Sequence, residues 1–218
     1  MKKLLTIIAL LFAFMAAPVA MAAPEAKVLD KSATKKIEND AKKRAKELKK
    51  AGWEPLASTS TLEYALIKYR IYIESDEDNR IPITGIAIGQ NNKIGRENAI
   101  HSGVASYAQR AKAQVVGKVK SVMSSDAHNV SQEEIDKFGA AYEAAVNTKM
   151  SGLVKEHFTL VRTAKDGSKE FNVYMSIDEE KAREARELAA REAREKSHLG
   201  TLSEMVEEFI GEPVEADE

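Results

Sequence analysis

Cysteine is absent from all 218 residues. Disulfides, thiolate zinc sites, iron–sulfur clusters and cysteine nucleophiles are therefore excluded, and no N-terminal cysteine is present to carry a lipid. Long apolar runs are also missing after the first 22 residues. A membrane helix needs ~20 consecutive apolar residues, so no span is expected in the mature chain. The usual catalytic signatures are missing too: there is no GxSxG elbow, HExxH, P-loop or GxGxxG. Tyr107 is followed four residues later by Ala111 rather than Lys, and neither Ser102 nor Ser106 has Lys three residues on. The four histidines, His101, His128, His157 and His198, are never three or four residues apart. No helix face can thus present two of them to one metal ion. His101 and Ser102 are adjacent on a helix, where neighbours point about 100° apart, so they do not form a base–nucleophile pair. No enzyme activity, metal or cofactor is expected from these patterns.

Charge of either sign is nearly balanced, with 33 basic and 34 acidic residues. Such a balance argues against a nucleic-acid binder. Two basic residues, Lys2 and Lys3, stand before the apolar stretch "LLTIIALLFAFMAA", which is followed by the small-x-small triplet Ala20, Met21, Ala22. This is the pattern of a secretory signal over residues 1–22, with cleavage expected after Ala22 and a periplasmic or secreted destination. The remaining charge is unevenly spread. Residues 31–50 hold nine Lys/Arg and three acids, whereas residues 203–218 hold seven acids and no base.

Periodicity predicts the elements. Ile37, Ala41, Ala45 and Leu48 recur at helical spacing in a basic arm over 23–52, and Gly52 is placed to end that helix. "WEPLA" (53–57) reads as a short extended piece, with Pro55 pointing to a sheet edge. Ser60 and Glu63 form a capping box ahead of a helix striped by Leu62, Leu66, Tyr69 and Ile73. "IPITGIAIG" (81–89) reads as a strand buried on both faces, because its isoleucines fall on both. Over 97–125, Ile100, Val104, Ala108, Ala111, Val115, Val119 and Val122 share one helical stripe. Gly103 sits beside it and suggests a close backbone approach, while Gly117 has no evident packing reason. Ser131 and Glu134 form a second capping box, before Ile135, Phe138, Ala141, Tyr142 and Ala145. Phe158 and Leu160, then Phe171, Val173, Met175 and Ile177, alternate around Asp166-Gly167, which predicts a β-hairpin. Asp178, Glu179 and Glu180 open a last long helix, with Glu179–Arg183, Glu187–Arg191 and Glu192–Lys196 spaced for i,i+4 pairs. Thr201 and Glu204 cap a short amphipathic helix that carries Phe209 and Ile210.

Taken together these predict an α+β fold. A small antiparallel sheet of about three to four strands is packed by long helices in a core domain over 53–178. Helical extensions flank it, the basic arm over 23–52 and a charged one over 179–218.

The order "ENAIHSGVASYAQRAKAQVVGKVKSVMS", a second helix ending "TKMSGLV", and the strands "KEHFTLVRTAKDG" and "SKEFNVYMSID" resembles the Lpp-twenty lipoprotein family of bacterial envelopes. The core of that family recurs in the N-terminal domain of a flagellar-assembly protein. The resemblance covers a little under half of the chain and lacks the lipobox cysteine. It implies helices on a small antiparallel sheet and a binding, structural or adhesion-linked envelope role, and it implies no reaction.

Three sets of residues carry the functional expectations. The stripe Ala182, Ala185, Ala189 and Ala193 can pair helices between subunits or dock on the chain's own sheet. Val115, Val119, Phe158, Phe171 and Met175 can wall a small apolar or lipid-like ligand, or simply fill the core. The basic helix 31–50 can meet an anionic envelope surface, or be a solvated face folded against the acidic end of the chain. The expected function is assembly or binding of a protein partner through the helical arms. The alternative is a binding protein for the apolar ligand. A hydrolase would need a Ser/His or carboxylate pair brought together by folding.

Overall fold

The computed structural model describes residues 28–56, 60–125, 131–197 and 209–214, with the side chains of 122–125 left out. The signal segment, His128, His198, the Thr201–Glu204 cap and most of the acidic end lie outside the described residues.

Nine elements follow in order among the described residues: α1 Lys31–Lys50, β1 Glu54–Pro55, α2 Leu62–Glu74, β2 Arg80–Gly89, α3 Asn92–Ser125, α4 Gln132–Met150, β3 Lys155–Thr163, β4 Lys169–Asp178 and α5 Glu179–Ser197. The fold is α+β. Four strands form one antiparallel sheet in the order β1-β3-β4-β2. Helices lie on both faces of this sheet, because alternate β4 residues feed two cores. Phe171, Val173, Met175 and Ile177 join α3, α4 and α5 in one core, while Tyr174 and Leu160 join α1, α2 and Trp53 in the other.

Local chemistry sets the boundaries. Asp30 caps α1 by accepting from the Ala33 amide at 2.7 Å. Ser131 and Glu134 make the predicted reciprocal capping box on α4. Gly167 takes φ +83° in the β3–β4 turn, where it avoids the Cβ clash of the left-handed region. At α2 the expected box shifts by one residue. Thr61, not Ser60, is the cap, and it accepts from the Tyr64 amide at 3.2 Å.

The crossing of α3 over β2 depends on missing side chains. A Cβ on Gly85 would lie 1.8 Å from the Ala99 carbonyl oxygen, and one on Gly103 would lie 2.6 Å from Met175 Cε. Gly103 is thus the close approach that the sequence suggests. Gly117 has nothing within 4 Å of such a Cβ.

The expectation for β2 is corrected. It is an edge strand, and its second face is open: Ile86 and Ile88 are 57 % and 62 % exposed. The helices α1 and α2 pack over Leu160 of β3 and Tyr174 of β4, and no β2 residue enters that second core. Isoleucine on both faces of a strand therefore does not mean that both faces are covered here.

Candidate binding surfaces

The residues read as a ligand wall do not enclose one cavity. Val115, Val119, Phe171 and Met175 are buried in the core beneath α3, whereas Phe158 packs on the opposite face of the sheet with Tyr69 and Tyr174. Sheet alternation separates them, and the first four fill space rather than line it.

The alanine stripe is also occupied within the chain. Ala182, Ala185, Ala189 and Ala193 are buried, together with Ala190, where α5 packs on α4. Small side chains let the two helices approach closely. On α1, Ile37, Ala41, Ala45 and Leu48 face α2, while Lys35, Lys36, Lys42, Lys43, Lys46, Lys49 and Lys50 face solvent. At the acidic end, the described Glu212 pairs with Lys118 of α3 rather than with α1. No helix among the described residues is long and apolar enough to cross a membrane, and none of their His, Asp and Glu side chains cluster as a metal site.

One buried polar cluster has no counterpart in the sequence reading. Arg186 is only 1 % exposed, and its Nη1 donates to Tyr107 Oη at 2.6 Å. Its Nη2 donates to Glu179 Oε1 at 2.5 Å and to the Glu212 carbonyl at 3.0 Å, and its Nε donates to the Ile210 carbonyl at 3.2 Å. Glu179 therefore points inward to Arg186 instead of pairing with Arg183. The available signal was position: Arg186 falls four residues after Ala182 and three before Ala189, on the buried stripe itself. Burial pulls the Arg186 guanidinium pKa down, but the bonds to Glu179 and Tyr107 outweigh it and hold the pKa above the ordinary value. The cluster ties α5 to 209–214, and its side chains Tyr107, Glu179 and Arg186 are buried.

A groove opens on the α2 face of the sheet, with a volume of about 320 Å³. Tyr64, Lys68 and Tyr72 come from successive turns of α2, and Lys155, His157 and Phe158 come from β3. His157 is the extra residue of a β-bulge between Glu156 and Phe158. A bulge re-aims a side chain, and this one sets the ring edge-on to Tyr69 at 5.1 Å and tilted to Tyr72 at 4.6 Å. Lys155 Nζ lies 4.1 Å from the Tyr72 ring centre, and Arg80 Cζ lies 4.1 Å from it as well.

His157 Nε2 and Ser176 Oγ are 2.8 Å apart, so folding does join a Ser/His pair. Ser176 is only 2 % exposed, however, and does not line the groove. Burial, with Lys155, Lys68 and Arg80 nearby, pulls the His157 pKa down to about 4. A general base works best with a pKa near the operating pH, so this ring is a poor one. The adjacent Glu156 is committed elsewhere, to Arg96 and to Thr159 Oγ1. Burial raises its pKa, but those two bonds outweigh it and keep the carboxylate below its ordinary value. The pair is suited to fixing a ring in place.

The second surface is the outer edge of β2. No described strand pairs with it, and its register with β4 runs unbroken from Arg80 to Gly89. Ile81–Gly89 contains no charged residue. Edge strands are commonly guarded by charge, bulges or proline, and only Pro82 guards this one.

Comparisons with protein-family models, with curated proteins and with solved structures return no significant match to this chain.

Proposed function

We propose that this chain is an exported, non-catalytic envelope protein that works in assembly, pairing through β2 with a second copy of itself. The observation that carries this reading is the uncharged, unpaired edge Ile83–Gly89 with Ile86 and Ile88 exposed beside it. Unpaired backbone groups on a flat edge recruit another strand, and apolar side chains add burial. Antiparallel pairing about a two-fold axis at Ala87 sets Ile86 of each copy opposite Ile88 of the other. Cross-strand pairs of this kind are worth about 0.2–1 kcal/mol each, and a two-fold contact of one patch with itself closes at a dimer.

Export rests on the signal pattern of residues 1–22. The envelope assignment rests on the resemblance to the Lpp-twenty order, and α3, α4, β3 and β4 do follow one another as helix, helix and hairpin. The non-catalytic reading is supported by the burial of Ser176 and the low basicity of His157. Assembly is assigned to the edge rather than to the helical extensions because the alanines of α5 are already covered by α4.

Sedimentation velocity on the mature protein tests the reading. The expected result is twice the chain mass, with Ile86→Lys/Ile88→Lys reduced to a single chain and keeping its circular dichroism. A wild-type monomer up to about 100 µM, or a dimer that ignores the double substitution, contradicts it.

A further inference from the structure

We propose that the α2–β3 groove binds a small organic phosphate, with the phosphate between Lys68 and Lys155 and the organic part against Tyr64. This is independent of the β2 pairing, which uses a different edge of the sheet.

Most polar groups around the groove are already committed. Arg80 is taken up by the Tyr72 carbonyl, Ser75 and Asp76, and Arg96 by Glu156. The Tyr69 hydroxyl donates to the Met175 carbonyl at 3.0 Å. Lys68 and Lys155 are exposed at the mouth, and no described carboxylate pairs with either one; Lys155 rests on the face of the Tyr72 ring, which leaves its ammonium donors open to an anion. Each ammonium is a compact point charge with three donors. The Tyr64 and Tyr72 hydroxyls add donors, so the mouth offers donors and positive charge to an occupant rich in acceptor oxygens.

Charge count and shape narrow the class. Two lysines match a group carrying close to two negative charges, which a phosphate monoester has at neutral pH. A carboxylate carries one charge and is best matched by the planar fork of Arg, and both nearby arginines are engaged. Tyr64 is 57 % exposed and presents an amphipathic ring at the rim, where a sugar or other ring can rest. Burial is the main cause of the depressed His157 pKa, and the positive charges of Lys155, Lys68 and Arg80 lower it further.

The test is isothermal titration of the mature protein with glucose 6-phosphate, glucose and inorganic phosphate, beside flotation with phosphatidylcholine vesicles carrying phosphatidic acid, whose headgroup is a phosphate monoester. Saturable binding of glucose 6-phosphate, none of glucose, and a loss of about tenfold or more in Lys68→Gln/Lys155→Gln are expected. Tyr64→Ala should weaken the sugar phosphate more than inorganic phosphate. Vesicle binding that the lysine double variant abolishes supports the same site with a lipid headgroup as the source. Both lysines are exposed, so the double variant should keep the wild-type melting temperature within a few degrees. Binding that survives in the double variant overturns the proposal, as does the absence of saturable binding by any phosphate probe up to about 10 mM.

Discussion

Arg186 and Glu179 meet inside the protein, with Nη2 and Oε1 2.5 Å apart and the arginine almost fully buried. Both residues belong to α5, seven positions apart, and the pair reaches across to Tyr107 on α3 and to the carbonyls of Ile210 and Glu212. Breaking one side of such a pair leaves a buried charge, which costs about 3–5 kcal/mol. Glu179→Ala should therefore lower the unfolding free energy by about that much in urea. The paired replacement Glu179→Leu/Arg186→Met should recover a large part of the loss. Equal damage from both would assign the stability to something other than the buried charge.

Glycine at position 85 is required by distance. A methyl group there would collide with the Ala99 carbonyl, so Gly85→Ala should destabilise by about 1–3 kcal/mol or more through a forced shift of α3. Gly117→Ala lies on the exposed face of the same helix with open space around it. It should stabilise by about 0.8–1 kcal/mol, the helix-propensity difference. Thermal melts of the two variants should move in opposite directions.

His157 makes stability depend on pH. Its pKa is near 6.5 in the unfolded chain and about 4 in the folded protein. Between these values the unfolded state takes up a proton that the folded state resists. Stability is thus full above about pH 6.5 and falls as the pH drops toward 4, by on the order of 1–2 kcal/mol after allowing for the ring's partial exposure. His157→Phe should remove this part of the slope. A melting curve whose pH dependence is the same in the variant would show that His157 is not its source.

Ala189 lies in the seam between α4 and α5 and is fully buried. Ala189→Leu should overpack that seam and cost about 1–3 kcal/mol. Chemical denaturation measures the loss. The mass in solution should stay that of the wild type, because the stripe packs within one chain. A stable variant with altered mass would return the stripe to a role between subunits.

What the sequence made legible follows from local rules. The helical stripes of α1, α3 as far as Val119, and α4, the capping box at Ser131 and the turn at Gly167 depend on nearest neighbours, and each is where the pattern placed it; the side chain of Val122 lies outside those described. Pro55 marked the edge strand β1 for the same reason. Coverage was not legible. Whether Ile86 and Ile88 are buried depends on how far α1 and α2 extend over the sheet, and no residue of β2 encodes that. Arg183, Arg186, Arg191 and Arg194 look alike in a charged repeat, and only the helical phase of Arg186 relative to the alanines sets it apart. The groove joins α2 to β3 across 80 residues of chain, and His157 reaches it through a bulge that alternation cannot foresee. Phe158 and Phe171, both apolar strand residues, end on opposite faces by ordinary alternation, because Phe158 lies opposite Tyr174, three residues from Phe171.

The most direct test of the central claim is hydrogen exchange along β2 as a function of protein concentration. Pairing through this edge predicts that amides within Ile83–Gly89 become more protected as concentration rises, and that Ile86→Lys/Ile88→Lys abolishes the change. Exchange in β2 that is the same at every concentration, while a dimer is present in the same solution, would contradict assembly through this strand.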